Sequence, residues 1–158
     1  MQLNTYLTET FSYNDQTNKK LLGKIRLLSD DREATKLFSH LINCQYKWMA
    51  RVIQDPNANK MSWWEPVYDF DRLEDEWTKS LIPWLNYIAR KTEEELSTEV
   101  TFTGSDNTRW AATPKDIALQ LNYHSIHHRA QIQSILRRQR IEPDFVDYIG
   151  TKYRKLSK

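Results

Sequence analysis

An all-α chain folded as a four-helix bundle is what this sequence predicts, and three observations predict it. Four stretches carry apolar residues at three- and four-residue steps, the repeat of an amphipathic helix. Only three glycines and five prolines occur in 158 residues, so long regular elements should dominate. The one stretch with strand-like character is short enough to be a hairpin inside a connection. No internal repeat, low-complexity segment or linker interrupts the chain, so residues 1–158 read as a single domain, long enough to bury a core without disulfides.

The first helix is expected from about Leu3 to Leu28, with Leu7, Phe11, Leu21, Ile25 and Leu28 on one stripe. Asn14 and Asn18 interrupt that stripe midway, where apolar side chains belong. The second helix is expected from about Asp31 to Gln54. Asp30 and Glu33 have the spacing of a capping box, and Asp55-Pro56-Asn57 is a stop signal. Its stripe holds Leu37, His40, Leu41, Cys44 and Trp48. A loop through Trp63-Trp64-Glu65-Pro66 leads to a third helix, about Phe70 to Lys91, with Leu73, Trp77, Leu81, Trp84 and Ile88 on one face. Pro83 lies inside it and is expected to kink it, a break being the alternative. The acidic run from Asp69 to Glu76 reads as a solvated helix start that suits the dipole.

Between Ser97 and Ala112 the pattern changes. Val100, Phe102 and Trp110 flank the polar turn Gly104-Ser105-Asp106-Asn107, which predicts a short hairpin or ordered loop. Thr113 then serves as N-cap, with Pro114 at the first helical position and Asp116 in the first turn of the last long helix. Ile117, Leu121, His124, His128, Ile132 and Ile135 mark its inner face to about Arg138. Glu142-Pro143-Asp144 ends it, and a short final helix or turn carries Phe145, Tyr148 and Ile149.

Composition narrows the function. Basic and acidic residues number 23 and 21, leaving a net charge of +2, and so argue against a surface built to neutralise phosphates. The patch Arg137-Arg138-Gln139-Arg140 reads as positive charge complementing a helix C-terminus. The lone Cys44 forms no internal disulfide, no stretch approaches a membrane span, and no basic-then-apolar leader opens the chain. A soluble, cytoplasmic protein with no nucleic-acid or membrane partner is the expectation.

Chemistry concentrates in the histidines. His124 and His128 are four residues apart and rise from one helix face about 6 Å from each other, close enough to grip one ion. His40 lies mid-helix on the inner stripe of the second helix, and facing helices of a bundle bring such residues together. Three imidazoles leave a coordination position open, as in catalytic metal sites. His127 lies off the stripe, although His124 with His127 is a competing pair. No glutamate follows His124, so this is not a zinc-protease helix. Cys44 is a possible fourth ligand or a small buried thiol. Trp63 and Trp64 line a pocket mouth or dimer surface, or cap the core.

The run Asn122-Tyr123-His124-Ser125-Ile126-His127-His128-Arg129-Ala130-Gln131-Ile132, with Leu136-Arg137, Ile141-Glu142-Pro143-Asp144 and Asp147-Tyr148-Ile149, resembles the C-terminal signature of the DinB/YfiT-like superfamily. The segment Leu37-Phe38-Ser39-His40-Leu41-Ile42-Asn43 resembles the stretch that holds the family's first metal ligand, and Asn14 resembles part of its first helix. Ala130 departs from the glycine usual in the family after His-Arg. The resemblance implies a four-helix bundle with a divalent metal, zinc or nickel, on His40, His124 and His128. It also implies a homodimer and, for members with known chemistry, transfer or isomerisation dependent on low-molecular-weight thiols such as mycothiol or bacillithiol.

The expected activity is therefore metal-dependent transfer of a low-molecular-weight thiol to an electrophilic small-molecule substrate. Arg129, for a substrate carboxylate, and Asn14 are candidate pocket groups, a surface salt bridge and an interhelical hydrogen bond being the alternatives. A metal-dependent hydrolase and a non-enzymatic ligand-binding bundle are the competing functions.

Overall fold

The computed structural model describes residues 2–157. Four long helices are present: α1 (Leu3–Ile25), α2 (Arg32–Val52), α3 (Leu73–Arg90) and α5 (Pro114–Arg138). A short α4 (Glu93–Ser97) and the antiparallel pair β1 (Val100–Thr103) and β2 (Arg109–Ala112) fill the last connection. Each of α1 and α2 packs against both α3 and α5. Helices α1 and α2 thus stand on one diagonal of the bundle, and α2 faces α5 directly, which brings the histidine-bearing helices side by side. Among the described residues, no helix is long and apolar enough to cross a membrane.

Local signals explain most of the boundaries. The Thr113 hydroxyl accepts the Asp116 N–H, capping α5 above Pro114. Both α2 and α5 end in the six-to-one, five-to-two hydrogen-bond pattern of a left-handed C-terminal turn. In it the Asp55 and Ile141 N–H groups return to the Ala50 and Leu136 carbonyls, with Gln54 and Arg140 at φ of 60° and 61°. The hairpin forms where it is expected, with Phe102 opposite Trp110. Helix α3 runs on through Pro83 without a break.

Two expectations change. Asp30 and Glu33 do not build a capping box: Asp30 binds Arg32, Glu33 pairs with Arg138 at 3.0 Å, and the N-cap is Asp31 with no side-chain bond. Each acidic side chain has a guanidinium within reach, which offers the carboxylate a positive charge that a backbone N–H lacks. A capping box exists instead at Thr92 and Glu95, which starts α4. Glu76 is buried rather than solvated, held by Arg72 at 2.9 Å and by the Tyr46 hydroxyl.

The core divides into two apolar clusters. One gathers Leu7, Phe11, Leu81, Trp84, Ile88 and Leu121; the other gathers Leu21, Ile25, Phe38, Trp77, Ile132 and Leu136. Between them in sequence on every long helix sit buried polar groups: Asn14, Thr17 and Asn18 on α1, Asn43 and Gln45 on α2, Ser80 on α3, and Ser125 and Arg129 on α5. The two asparagines that break the α1 stripe therefore belong to a polar belt across the middle of the bundle.

Candidate metal centre

His40 points inward from α2 and is 5 % exposed, and His128 on α5 is 6 % exposed. Their ring centroids are 4.8 Å apart, and the half-buried His124 ring lies 5.0 Å from His40 and 4.4 Å from His128. The closest approach is between His40 Nε2 and His124 Nε2, 2.9 Å.

Hydrogen bonds to the outer nitrogens set the tautomers. His40 Nδ1 lies 2.6 Å from the Trp63 carbonyl, which can only accept, so Nδ1 carries the proton and Nε2 presents its lone pair inward. His128 Nδ1 donates likewise to Gln131 Oε1 at 2.6 Å, and the Gln131 amide approaches His127 Nε2 at 3.4 Å. Outer N–H groups fixed on carbonyl oxygens are the usual means by which a protein orients imidazoles toward a metal. Trp64 stacks on His40, with centroids 3.8 Å apart and planes 11° from parallel, and closes one side of the ring.

Burial keeps these rings neutral. It holds the His40 and His128 pKa values below the ordinary 6.5, outweighing the Trp63 and Gln131 hydrogen bonds, which act the other way. His124 is pushed down to about 4, chiefly by burial and then by the charges of His128, His40 and His127. The neutral rings of His40 and His124, with the Cys44 sulfur, place donor atoms close enough together to fit a divalent cation, and the His128 ring packs against both imidazoles.

Cys44, one turn after His40, lies 3.6 Å from His40 Nε2, and the donor atoms of His40, Cys44 and His124 all fall within 4.8 Å of one another. Burial raises its thiol to about 12, so it is an S–H group in the metal-free protein. A cavity of about 220 Å³ opens beside the cluster, lined by His40, Cys44, Trp48, Trp63, Gln120, Leu121 and His124. Its walls are apolar and hold no carboxylate.

Other residues fall elsewhere. Arg129 is 2 % exposed and donates from NH1 to Thr17 Oγ1 (2.6 Å), Asn18 Oδ1 (2.8 Å) and Asn14 Oδ1 (3.2 Å), with NH2 on the Tyr13 hydroxyl. It thus sits in the polar belt with Asn14, between α1 and α5, and none of its hydrogen bonds goes to a histidine. His127 is exposed, as is Ala130, whose methyl group meets no helix packing. Sequence reasoning passed over Gln131, Trp64 as a partner of His40, and the buried cations Lys47 and Arg51. The last two were signalled by their spacing, since positions 40, 44, 47 and 51 share one face of a helix.

A family model described as the DinB superfamily matches residues 34–132, a span that contains all three inward histidines. No curated protein and no solved structure matches the chain significantly.

Proposed function

The chain belongs to the DinB superfamily, and we propose that it is a metal-dependent enzyme that joins a low-molecular-weight thiol to an electrophilic small molecule. His40, His124 and His128 would hold the ion, zinc or nickel. The observation that carries this reading is the aim of neutral Nε2 atoms at one point from two helices, 2.9 Å apart for His40 and His124, with the Nδ1–H of His40 held by a backbone carbonyl.

A divalent ion bound there would lower the pKa of a thiol beside it and supply a thiolate at neutral pH. The protein's own contribution is positional. Trp63 and Gln131 hold two of the rings in one orientation, and Trp64 restricts movement of His40. Trp48, Trp63 and Leu121 form an apolar wall that accepts the body of a substrate and excludes water. Cys44 stays protonated and leaves one coordination position to the thiol substrate. Arg129 and Asn14 act at one remove, fixing α5 against α1. A dedicated carboxylate base beside the ion would favour a hydrolase, and the cavity lining of His40, Cys44, Trp48, Trp63, Gln120, Leu121 and His124 holds none.

Elemental analysis of untagged protein, with thiol-consumption assays on the metal-loaded form, tests the proposal. The parent and Cys44→Ala should bind near-stoichiometric metal, while His40→Ala and His128→Ala lose it. Disappearance of a low-molecular-weight thiol with a model electrophile should follow metal content. A folded parent that takes up neither zinc nor nickel, or a loaded protein that leaves every thiol tried unchanged, would overturn the reading.

A further inference from the structure

Three turns beyond His40 on α2, Arg51 is 7 % exposed, yet no ion pair joins it to a carboxylate among the described residues. Its guanidinium lies 4.7–5.0 Å from the centroids of Phe102, Trp48 and Trp63. It has one hydrogen bond, from NH2 to the Thr103 carbonyl at 3.3 Å, and its buried Nε has no partner. Lys47, one turn earlier, is 7 % exposed and donates only to the Met61 carbonyl. A buried cation ordinarily has a counter-charge, because nothing else replaces the hydration it loses. Here two stand together without one.

Arg51 lines a cavity of about 260 Å³ whose walls include Gln54, Thr101, Phe102, Thr103 and Arg109. The exposed Arg109, on β2, forms no ion pair among the described residues. Asp55 also lines the cavity, but its Oδ1 accepts the Asn57 N–H at 2.8 Å and it pairs with neither arginine. Three aromatic rings surround the Arg51 guanidinium, whose planar fork suits two oxygens of one planar or tetrahedral anion.

We propose that Arg51 and Arg109 form a binding site for a small oxyanion, a carboxylate or phosphate group carried by a substrate or effector. The Trp48 and Trp63 rings that flank Arg51 also line the histidine cavity. Eleven residues separate Arg51 from His40, about 16 Å along a helix at its usual rise. An elongated small molecule therefore has its anionic end at Arg51 and its remainder along the tryptophan wall. The site needs no metal, so it stands or falls apart from the proposed chemistry.

Tryptophan emission of the full chain, stripped of metal with a chelator, is titrated with sodium phosphate and, separately, with sodium succinate at constant ionic strength. Saturable binding in the millimolar range or tighter is expected, with affinity lost at least tenfold in Arg51→Met and several-fold in Arg109→Gln. Response to phosphate alone would point to a phosphorylated ligand, and response to succinate to a carboxylate. No saturation with either anion, or parent-like affinity in the Arg109→Gln variant, which leaves the buried core untouched, would overturn the proposal.

Discussion

Lowering the pH of the metal-free protein should destabilise it between pH 6.5 and about 4, with His124 responsible for a measurable share. In the fold His124 has a pKa of about 4, against 6.5 ordinarily, because burial and the neighbouring imidazoles oppose its charge. The unfolded chain takes up this proton below pH 6.5, and the folded chain does not until about 4. Stability from this group is therefore complete above pH 6.5 and falls as pH descends through that window. A fully shielded ring would forfeit about 3 kcal/mol over the interval, at roughly 1.4 kcal/mol per unit. His124 is only half-buried, so solvent screening brings the expected loss to about 1–2 kcal/mol. His40 and His128 are shifted in the same direction and add to the slope. The carboxylates held lowest by hydrogen bonds, Asp30 and Glu95 near 2, begin to release their contribution as pH falls through their ordinary values of 3.8 and 4.5, at or below the bottom of this range. Urea unfolding at half-unit steps from pH 7.5 to 4.5, for the parent and His124→Asn, measures the effect. A parent curve flat from pH 6.5 to 4.5, or equal slopes in the two proteins, would refute the account of crowded neutral imidazoles.

Three further outcomes follow from single side chains. Asn18→Ala removes an acceptor of Arg129 and the donor to Ser125 Oγ, and urea unfolding should show a loss of about 1–3 kcal/mol. Arg140 sits at φ 61° with an exposed side chain, so Arg140→Gly should raise stability by about 0.5–1 kcal/mol, or roughly 2 °C in a thermal melt. Gln131→Leu removes the acceptor of His128 Nδ1–H at an exposed position; chelator competition should show zinc affinity reduced by about tenfold or more with the melt little changed.

The apolar stripes made the four long helices, the hairpin and the Thr113 cap legible, because each rests on a local pattern. Burial of Leu7, Trp77, Trp84 and Ile132 follows from the same spacing. The pairing of His40 with His124 was legible only as two inward faces; their 2.9 Å approach depends on α2 and α5 being neighbours, which helical periodicity does not state. Charged residues were the poorest guides. Asp30 and Glu33 fit a cap by spacing, yet arginines outside the pattern bind them. Lys47, Arg51 and Glu76 look solvated by residue type, and are covered by side chains from distant segments, Trp63, Phe102 and Tyr46 among them. Arg129 resembled a pocket group for the same reason: its partners lie more than a hundred residues earlier.

The polar belt has a bearing on the histidines although none of the Arg129 hydrogen bonds reaches them. Apolar contacts are non-directional, so the leucine and tryptophan clusters at either end of the core resist separation of the helices far more than sliding along their axes. A one-turn slip of α5 moves its residues about 5.4 Å. Such a slip would carry His124 away from His40 while exchanging one apolar residue for another against α1 and α2. The same slip takes Arg129 off Asn14, Thr17 and Asn18 together and Ser125 off Asn18. A buried guanidinium would then lack acceptors, at a cost of several kcal/mol. Helix α1 contributes no histidine, and it packs against α5 and α3 rather than α2. It nevertheless determines which turn of α5 faces His40, because the buried hydrogen bonds of Arg129 and Ser125 end on α1.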